Sequence, residues 1–319
     1  MRINLMKIVS SAALMFGLSV GGAIAQDFPS KPITLILPLG AGGSHDLNSR
    51  VFTSIIPQYL GGQPMIVKLM PGASGQTGTA AAATAPADGY TLLFSHNYFD
   101  QLQQHVNDLP YNPTKDFVTV ARLNSARFCL IVLADSPHKT INGLLDFGRA
   151  NPGKLEFAHS GQWGAGMVPG ARLLQWAKVN ANMTPYRGGG PSLRALLAGD
   201  ADFTVQLPST IAGQGDKVRT LACVRDEPVV GSPPTFKSLG FPGELGEMHR
   251  IVMAPRGIPA ERLAKLREAF LKLQEDKTYQ RMMKRLGEDT NLMDGAEYEK
   301  ARPVQSDSYK ALVDSMTQG

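Results

Sequence analysis

Ile33-Thr34-Leu35-Ile36-Leu37-Pro38-Leu39-Gly40-Ala41-Gly42-Gly43-Ser44-His45-Asp46-Leu47-Asn48-Ser49-Arg50-Val51 is the stretch on which the fold turns. Ile33–Leu37 is a short apolar run of the kind that forms a strand buried on both faces. Gly40–Ser44 is a flexible loop. Leu47, Val51 and Ile55 then recur at helical spacing, with Pro57 near the end. The pattern repeats downstream: a strand over Met65–Leu69, an Ala-rich helix over 77–85, a turn at Asp88-Gly89 and a strand over 90–95. Strand, helix, strand, helix, strand predicts a parallel sheet covered on both faces.

The middle of the chain follows the same grammar. Strands are predicted over 129–133, 155–158, 203–207 and 221–224, with helices over 141–150, 168–178 and 192–198. Pro169 leaves the start of the second of these helices open. The last part is helical, over 259–274, 277–286 and 296–313. In the first of these, Leu263, Leu266, Phe270 and Leu273 form one apolar stripe. No low-complexity tract or short-period repeat interrupts the chain.

At 319 residues the chain exceeds the size at which one core stops growing, which points to two domains. Hydrophobic residues make up 43% and charged residues 18%, a globular composition. The N-terminus reads as a leader: Arg2 and Lys7, the apolar run Ile8–Val20, then Ala23-Ile24-Ala25 as a cleavage site. Secretion to the periplasm is the expected address. Removing the leader takes the formal charge from +5 to +3, because two bases and no acids leave with it. Lys/Arg clusters interleaved with aromatics are missing from the sequence, so no nucleic-acid partner is expected. Cys129 and Cys223 each lie in an apolar run; an oxidising compartment permits a bridge, but two buried free thiols on separate strands is the preferred reading.

Open parallel sheets bind ligands beyond the C-terminal ends of their strands. Gly40–Ser44 is therefore either an anion cradle at a helix N-terminus or a tight turn needing glycine's φ freedom. A second loop, His159-Ser160-Gly161-Gln162-Trp163-Gly164-Ala165-Gly166, has the same strand-to-helix placement. Trp163 is expected to line the cleft against an apolar, even aromatic, part of a ligand. A third segment, Tyr186-Arg187-Gly188, precedes a helix, and Arg187 either forks onto a carboxylate or is a solvated loop arginine. Two Gly loops at corresponding places in successive α/β units imply two domains facing each other across a cleft.

The ordered motifs place the chain with a known group. Phe28-Pro29-Ser30-Lys31-Pro32-Ile33, then Pro38, Ala41-Gly42-Gly43 and Asp46, then Pro71-Gly72-Ala73 and Asp88-Gly89-Tyr90-Thr91-Leu92-Leu93 stand in order. Leu109-Pro110-Tyr111, Lys115-Asp116-Phe117, Asn151-Pro152-Gly153-Lys154-Leu155, Pro185-Tyr186-Arg187-Gly188-Gly189, Leu207-Pro208-Ser209 and Ala254-Pro255 with Gly257 continue the series. This resembles the Bug-type solute receptors of tripartite tricarboxylate transporters. The resemblance implies a type II periplasmic-binding-protein fold, α/β, with two domains joined by crossing strands and a ligand cleft between them. Residues 26–124 and 249–319 would form domain I, and 125–248 domain II. It also implies a small carboxylate ligand, membrane transporter subunits as partners and a monomer. Carried over by position, the ligand-binding residues are Gly42, Gly43, Ser44, His45 and Asp46, with His96; then His159, Ser160, Gly161, Gln162, Trp163, Gly164, Ala165 and Gly166; then Tyr186, Arg187, Gly188 and Gln206. The sequence departs from the family where His45, His96 and His159 replace small residues.

Each of these histidines follows, or nearly follows, a strand end, so all three are expected to converge on one cleft. Imidazoles there would hydrogen-bond the carboxylate, with binding tightening as pH falls through the histidine range, or would hold a metal. The first is preferred, and neither cofactor nor metal is expected. An enzyme is not expected either. Gly40-Ala41-Gly42 lacks the third glycine and the distal acid of a dinucleotide site, and Ser44 lacks the glycine two residues on that a nucleophile elbow needs. A ligand-dependent signalling partner is the alternative to transport.

Overall fold

The computed structural model describes residues 27–224, 232–241 and 246–317. The leader expected over residues 1–25 lies outside them. In chain order the strands are β1 (Ile33–Leu37), β2 (Met65–Leu69), β3 (Thr91–His96), β4 (Phe117–Arg127), β5 (Cys129–Leu133), β6 (Leu155–His159), β7 (Ala181–Pro185), β8 (Phe203–Gln206), β9 (Val218–Cys223), β10 (Glu247–Pro255) and β11 (Met293–Asp294). The helices are α1 (Ser44–Ile55), α2 (Gln76–Ala83), α3 (Pro113–Asp116), α4 (Ile141–Ala150), α5 (Met167–Trp176), α6 (Gly189–Ala198), α7 (Pro208–Ala212), α8 (Ala260–Glu275), α9 (Lys277–Arg285) and α10 (Gly295–Thr317). None of the described helices is long and apolar enough to cross a membrane.

The strands form two sheets. The first has the order β11-β4-β10-β3-β1-β2 and the second β7-β6-β8-β5-β9. In the first, β1 pairs in parallel with β2 and β3, and β10 runs antiparallel between β3 and β4. In the second, β6 pairs in parallel with β7 and β8, and β5 runs antiparallel beside β8. Each sheet is the core of one lobe. β4 and β10 pair along their length and carry the chain between the lobes, β4 passing into β5 through Phe128. The 124/125 and 248/249 boundaries drawn from the sequence fall inside these two strands.

Alternate residues of β1 feed different layers, as the two-residue period of a strand requires. Ile33, Leu35 and Leu37 pack with Phe52 of α1 and Phe270 of α8, while Ile36 packs on the opposite face with Phe117 and Ile251. In the second lobe Leu130, Phe157, Phe203 and Val205 form the main core, and Ile131 meets Leu193 and Leu196 of α6 on the other face.

The expectation of two free thiols is corrected. Cys129 and Cys223 are joined by a disulfide. β5 and β9 are antiparallel neighbours, and the two cysteines are register partners with Cα atoms 4.0 Å apart. Cys223 N–H donates to Pro234 O on its other side, so the pair is a non-hydrogen-bonded one. That is the position at which opposed side chains come closest in an antiparallel ladder. Local sequence patterns place the two cysteines on separate strands but do not say that those strands pair.

Candidate functional site

The ends of β1, β3, β6 and β8 face the space between the lobes. A cavity open to solvent lies there. Its polar wall comprises Ser44, His45, His96, Ser160, Gln206 and Thr210. Its apolar wall comprises Leu39, Phe128, Val205, Leu207 and Met248.

His45 and His96 meet for a simple reason. His96 lies two residues beyond Phe94 and so shares its face of β3. That face is covered by α1, whose first turn carries His45. The His45 ring lies 4.9 Å from Phe94 and 5.2 Å from His96, centroid to centroid. His45 Nε2 donates to Ser95 O at 3.1 Å, and His96 Nδ1 accepts the Phe99 N–H at 3.3 Å. Burial holds both imidazoles below the usual histidine range. For His45 the His96 ring and the Arg250 charge act in the same direction, and His96 is pushed down to about 3 by burial and then by Arg250. Both rings are therefore neutral at physiological pH. Binding that tightens as pH falls near 6.5 does not follow from this pair.

Below Ser44 lies a charged network absent from the sequence reading. Arg250 of β10 is completely buried and pairs in register with Asn124 of β4. Its Nη1 donates to Asn124 Oδ1 at 2.9 Å and to Glu288 Oε2 at 2.8 Å; its Nη2 donates to Glu288 Oε1 at 2.7 Å and to Ser44 Oγ. A buried guanidinium gripped by both carboxylate oxygens meets the requirement that buried charges be paired. Ser44 Oγ accepts from Arg250, and its own proton has no acceptor among the described residues.

The lobes touch around this cavity. Gly40 N–H donates to Arg187 O at 2.8 Å, and Gln162 N–H to Ser74 Oγ at 3.0 Å. A Cβ on Gly190 would stand 2.4 Å from Ala41 O, and one on Gly43 would stand 3.0 Å from Gly190 N. Only glycine allows that approach. It brings the start of α1 against the start of α6, two positive helix ends with the cavity beside them. A second groove is lined by Pro38, Pro71, Ser74, Tyr186 and Arg187.

The family model for the tripartite tricarboxylate transporter family receptor matches residues 50–317. The chain belongs to this family. A UPF0065 protein of Cupriavidus necator is 29% identical over 97% of this receptor and 95% of its own length. Among solved structures, the periplasmic binding protein BugD is similar at TM-score 0.86 and 25% identity, covering 91% of this receptor and 99% of BugD. MatC from Rhodopseudomonas palustris, solved with bound malate, is similar at TM-score 0.82 and 25% identity, with 90% and 100% covered. The fold is the two-lobed α/β architecture of this receptor family's periplasmic binding proteins.

Not all of the residues assigned to the site from sequence reach the receptor's cavity. Gly43, Ser44, His45, His96, Ser160, Ala165, Gly166 and Gln206 line it. Asp46 does not: its carboxylate accepts from Gly42 N at 2.8 Å and from Arg50 Nε at 3.0 Å, so it fastens the loop. His159 is corrected as well. Its ring is fully buried against Phe157, its Nδ1 donates to Gly161 O at 3.1 Å, and it is not part of the cavity wall. Two of the three histidines converge.

Trp163 has a left-handed backbone, φ 53°, and packs half-buried on the core of the second lobe rather than on the cavity. Gly161, Tyr186 and Arg187 line the second groove, and the Arg187 side chain is exposed there. Gln162, Gly164 and Gly188 shape the loops, Gly164 N–H donating to Gly161 O and Gly188 preceding α6. Thr210, Phe128 and Met248 were missed. Thr210 follows the Leu207-Pro208-Ser209 motif by one residue, and its buried hydroxyl has no partner among the described residues.

Proposed function

We propose that this receptor captures a small carboxylic acid with an apolar body between its lobes, in the periplasm, and presents the closed form to the membrane subunits of a tripartite transporter. The observation that carries this reading is the cavity itself. One wall offers hydroxyls, imidazoles and a helix start, and the other offers Phe128, Val205, Leu207 and Met248. A carboxylate belongs with the first wall, where it also relieves the facing of two positive helix ends at α1 and α6. The remainder of the ligand belongs with the second. Malate in MatC is a ligand of the same acidic kind in a similar fold.

The test is a thermal scan against a broad panel of aliphatic and aromatic acids, followed by calorimetry on the compounds that shift the melt. A ligand at about 100 times its Kd adds about 2.7 kcal/mol of stability. That is a melting shift of several degrees. A panel without any shift, or a ligand that is chemically altered after incubation, overturns the reading.

A further inference from the structure

We propose that the ligand carries a hydroxyl as well as a carboxylate, and that this hydroxyl sits between His45 Nδ1 and His96 Nε2. The proposal rests on the receptor reading and narrows its ligand class.

The hydrogen bonds behind the two rings fix their tautomers. Ser95 O has no proton to give, so His45 Nε2 must carry one, and a neutral ring then leaves His45 Nδ1 as a bare acceptor. Phe99 N–H points its proton at His96 Nδ1, so that nitrogen is bare and His96 Nε2 carries the proton. Both rings line the cavity, 5.2 Å apart. Neither His45 Nδ1 nor His96 Nε2 has a partner among the described residues.

The two neighbouring rings therefore carry one unpartnered donor and one unpartnered acceptor on residues that line the cavity. A second proton would turn His45 Nδ1 into a donor, but burial and the Arg250 charge oppose it. A carboxylate offers only acceptors, so it satisfies His96, Ser44 and Thr210 and leaves His45 facing like against like. An ammonium offers only donors and fails His96 in the same way. A hydroxyl donates to His45 and accepts from His96 at once. Gln206 repeats the pattern: its amide nitrogen is taken by Gly189 O at 3.1 Å and Ser192 Oγ at 2.9 Å, which leaves its carbonyl oxygen as a second acceptor on the wall.

The experiment uses acid pairs that differ by one hydroxyl: malate and succinate, 2-hydroxyglutarate and glutarate, mandelate and phenylacetate, phenyllactate and phenylpropionate. Calorimetry on the whole secreted receptor should show the hydroxy acid of the tightest pair binding about 10- to 100-fold better, the range set by leaving a buried polar group unmatched. His45→Phe should shrink that ratio to within about threefold, since a hydrocarbon ring offers the hydroxyl nothing. Equal affinities in the wild type, or a ratio that survives in His45→Phe, overturn the inference while leaving the receptor reading standing. Failure of every acid to bind overturns both. Long-range proton–nitrogen NMR on the imidazoles supplies a check without ligand: both rings should be neutral with the proton on Nε2, and a proton on His45 Nδ1 overturns the inference.

Discussion

Glu288 and Ser209 belong to opposite lobes and meet: the Glu288 Oε1 that holds Arg250 also accepts the Ser209 N–H at 3.2 Å. A buried ion pair of the first lobe thus reaches the start of α7 in the second. Asn48 of α1 supports the same contact, its Nδ2 standing 3.4 Å from Ser209 Oγ.

Breaking that ion pair from one side should be costly. Arg250→Met leaves the Glu288 carboxylate buried and unpaired, with an expected loss of about 3–5 kcal/mol in urea unfolding. Arg250→Met combined with Glu288→Leu should recover most of it, because two apolar residues of similar size replace two compensated charges. Strictly additive losses would show that the two side chains do not act as a unit.

The contact of Gly190 with Ala41 should separate closure from folding. Gly190 sits in the first turn of α6 without a positive φ, so alanine suits the helix and adds up to about 1 kcal/mol there. Its Cβ would, however, meet the Ala41 carbonyl at 2.4 Å. Gly190→Ala should therefore keep its melting temperature in the absence of ligand and lose at least about 10-fold in affinity, since a 1.4 kcal/mol clash already costs that much. X-ray scattering with saturating ligand should show a more open particle than the wild type. Unchanged affinity would show that the lobes need not come this close.

Acid should destabilise the protein through its buried histidines. A base whose folded pKa is depressed binds fewer protons folded than unfolded, so its contribution is whole above the unfolded value and is lost as pH falls. With His96 at about 3 against 6.5 unfolded, the loss between pH 7 and pH 5 is about 2 kcal/mol from this ring. His45 and His249 are shifted the same way. Asp100, held above the usual carboxylate range by burial, works in the opposite direction. Comparing wild type with His96→Asn by urea unfolding at both pH values cancels that background. The variant should lose about 2 kcal/mol less than the wild type on acidification, and an identical loss would mean that His96 is not held neutral.

The bridge between Cys129 and Cys223 closes a loop of 94 residues. Constraining a loop of that length in the unfolded chain is worth about 4–5 kcal/mol on the chain-entropy account, with native disulfides costing about 2–5 kcal/mol to remove. The Cys129→Ala/Cys223→Ala variant should melt well below the oxidised protein and be indifferent to reductant. A wild type whose melt ignores reductant under denaturing exchange would contradict a formed bridge.

The elements legible in the sequence were those written in local patterns. Ile33–Leu37 with its glycine loop and α1 could be read directly, because an apolar run, missing side chains and a helical period are all local. β4, β7 and β10 were not read as strands. Phe117–Arg127 mixes Thr, Asn, Ser and Arg with apolar residues, and its burial comes from lying between β10 and β11. Arg250 and Glu288 are 38 residues apart and each alone resembles a solvated charge; only the pairing of β10 with β4 brings them under Ser44. His159 was misplaced because strand-end position fixes where a residue lies along the sheet, while its ring direction depends on the Gly161 carbonyl it finds. Trp163 was judged by its glycine neighbours, and its φ of 53° turns the indole back onto the core.

Around the cavity mouth the two lobes approach through backbone atoms at Gly40 with Arg187 and Gly190 with Ala41, and through the Ser74 hydroxyl beside Gln162. The side chains that line the cavity include those at 44, 45, 96, 128, 206, 210 and 248. A laboratory library restricted to 45, 96, 206 and 210 avoids the Phe128 and Met248 crossings and should redirect the receptor to new ligands while Gly40, Ala41, Arg187 and Gly190 keep their approach.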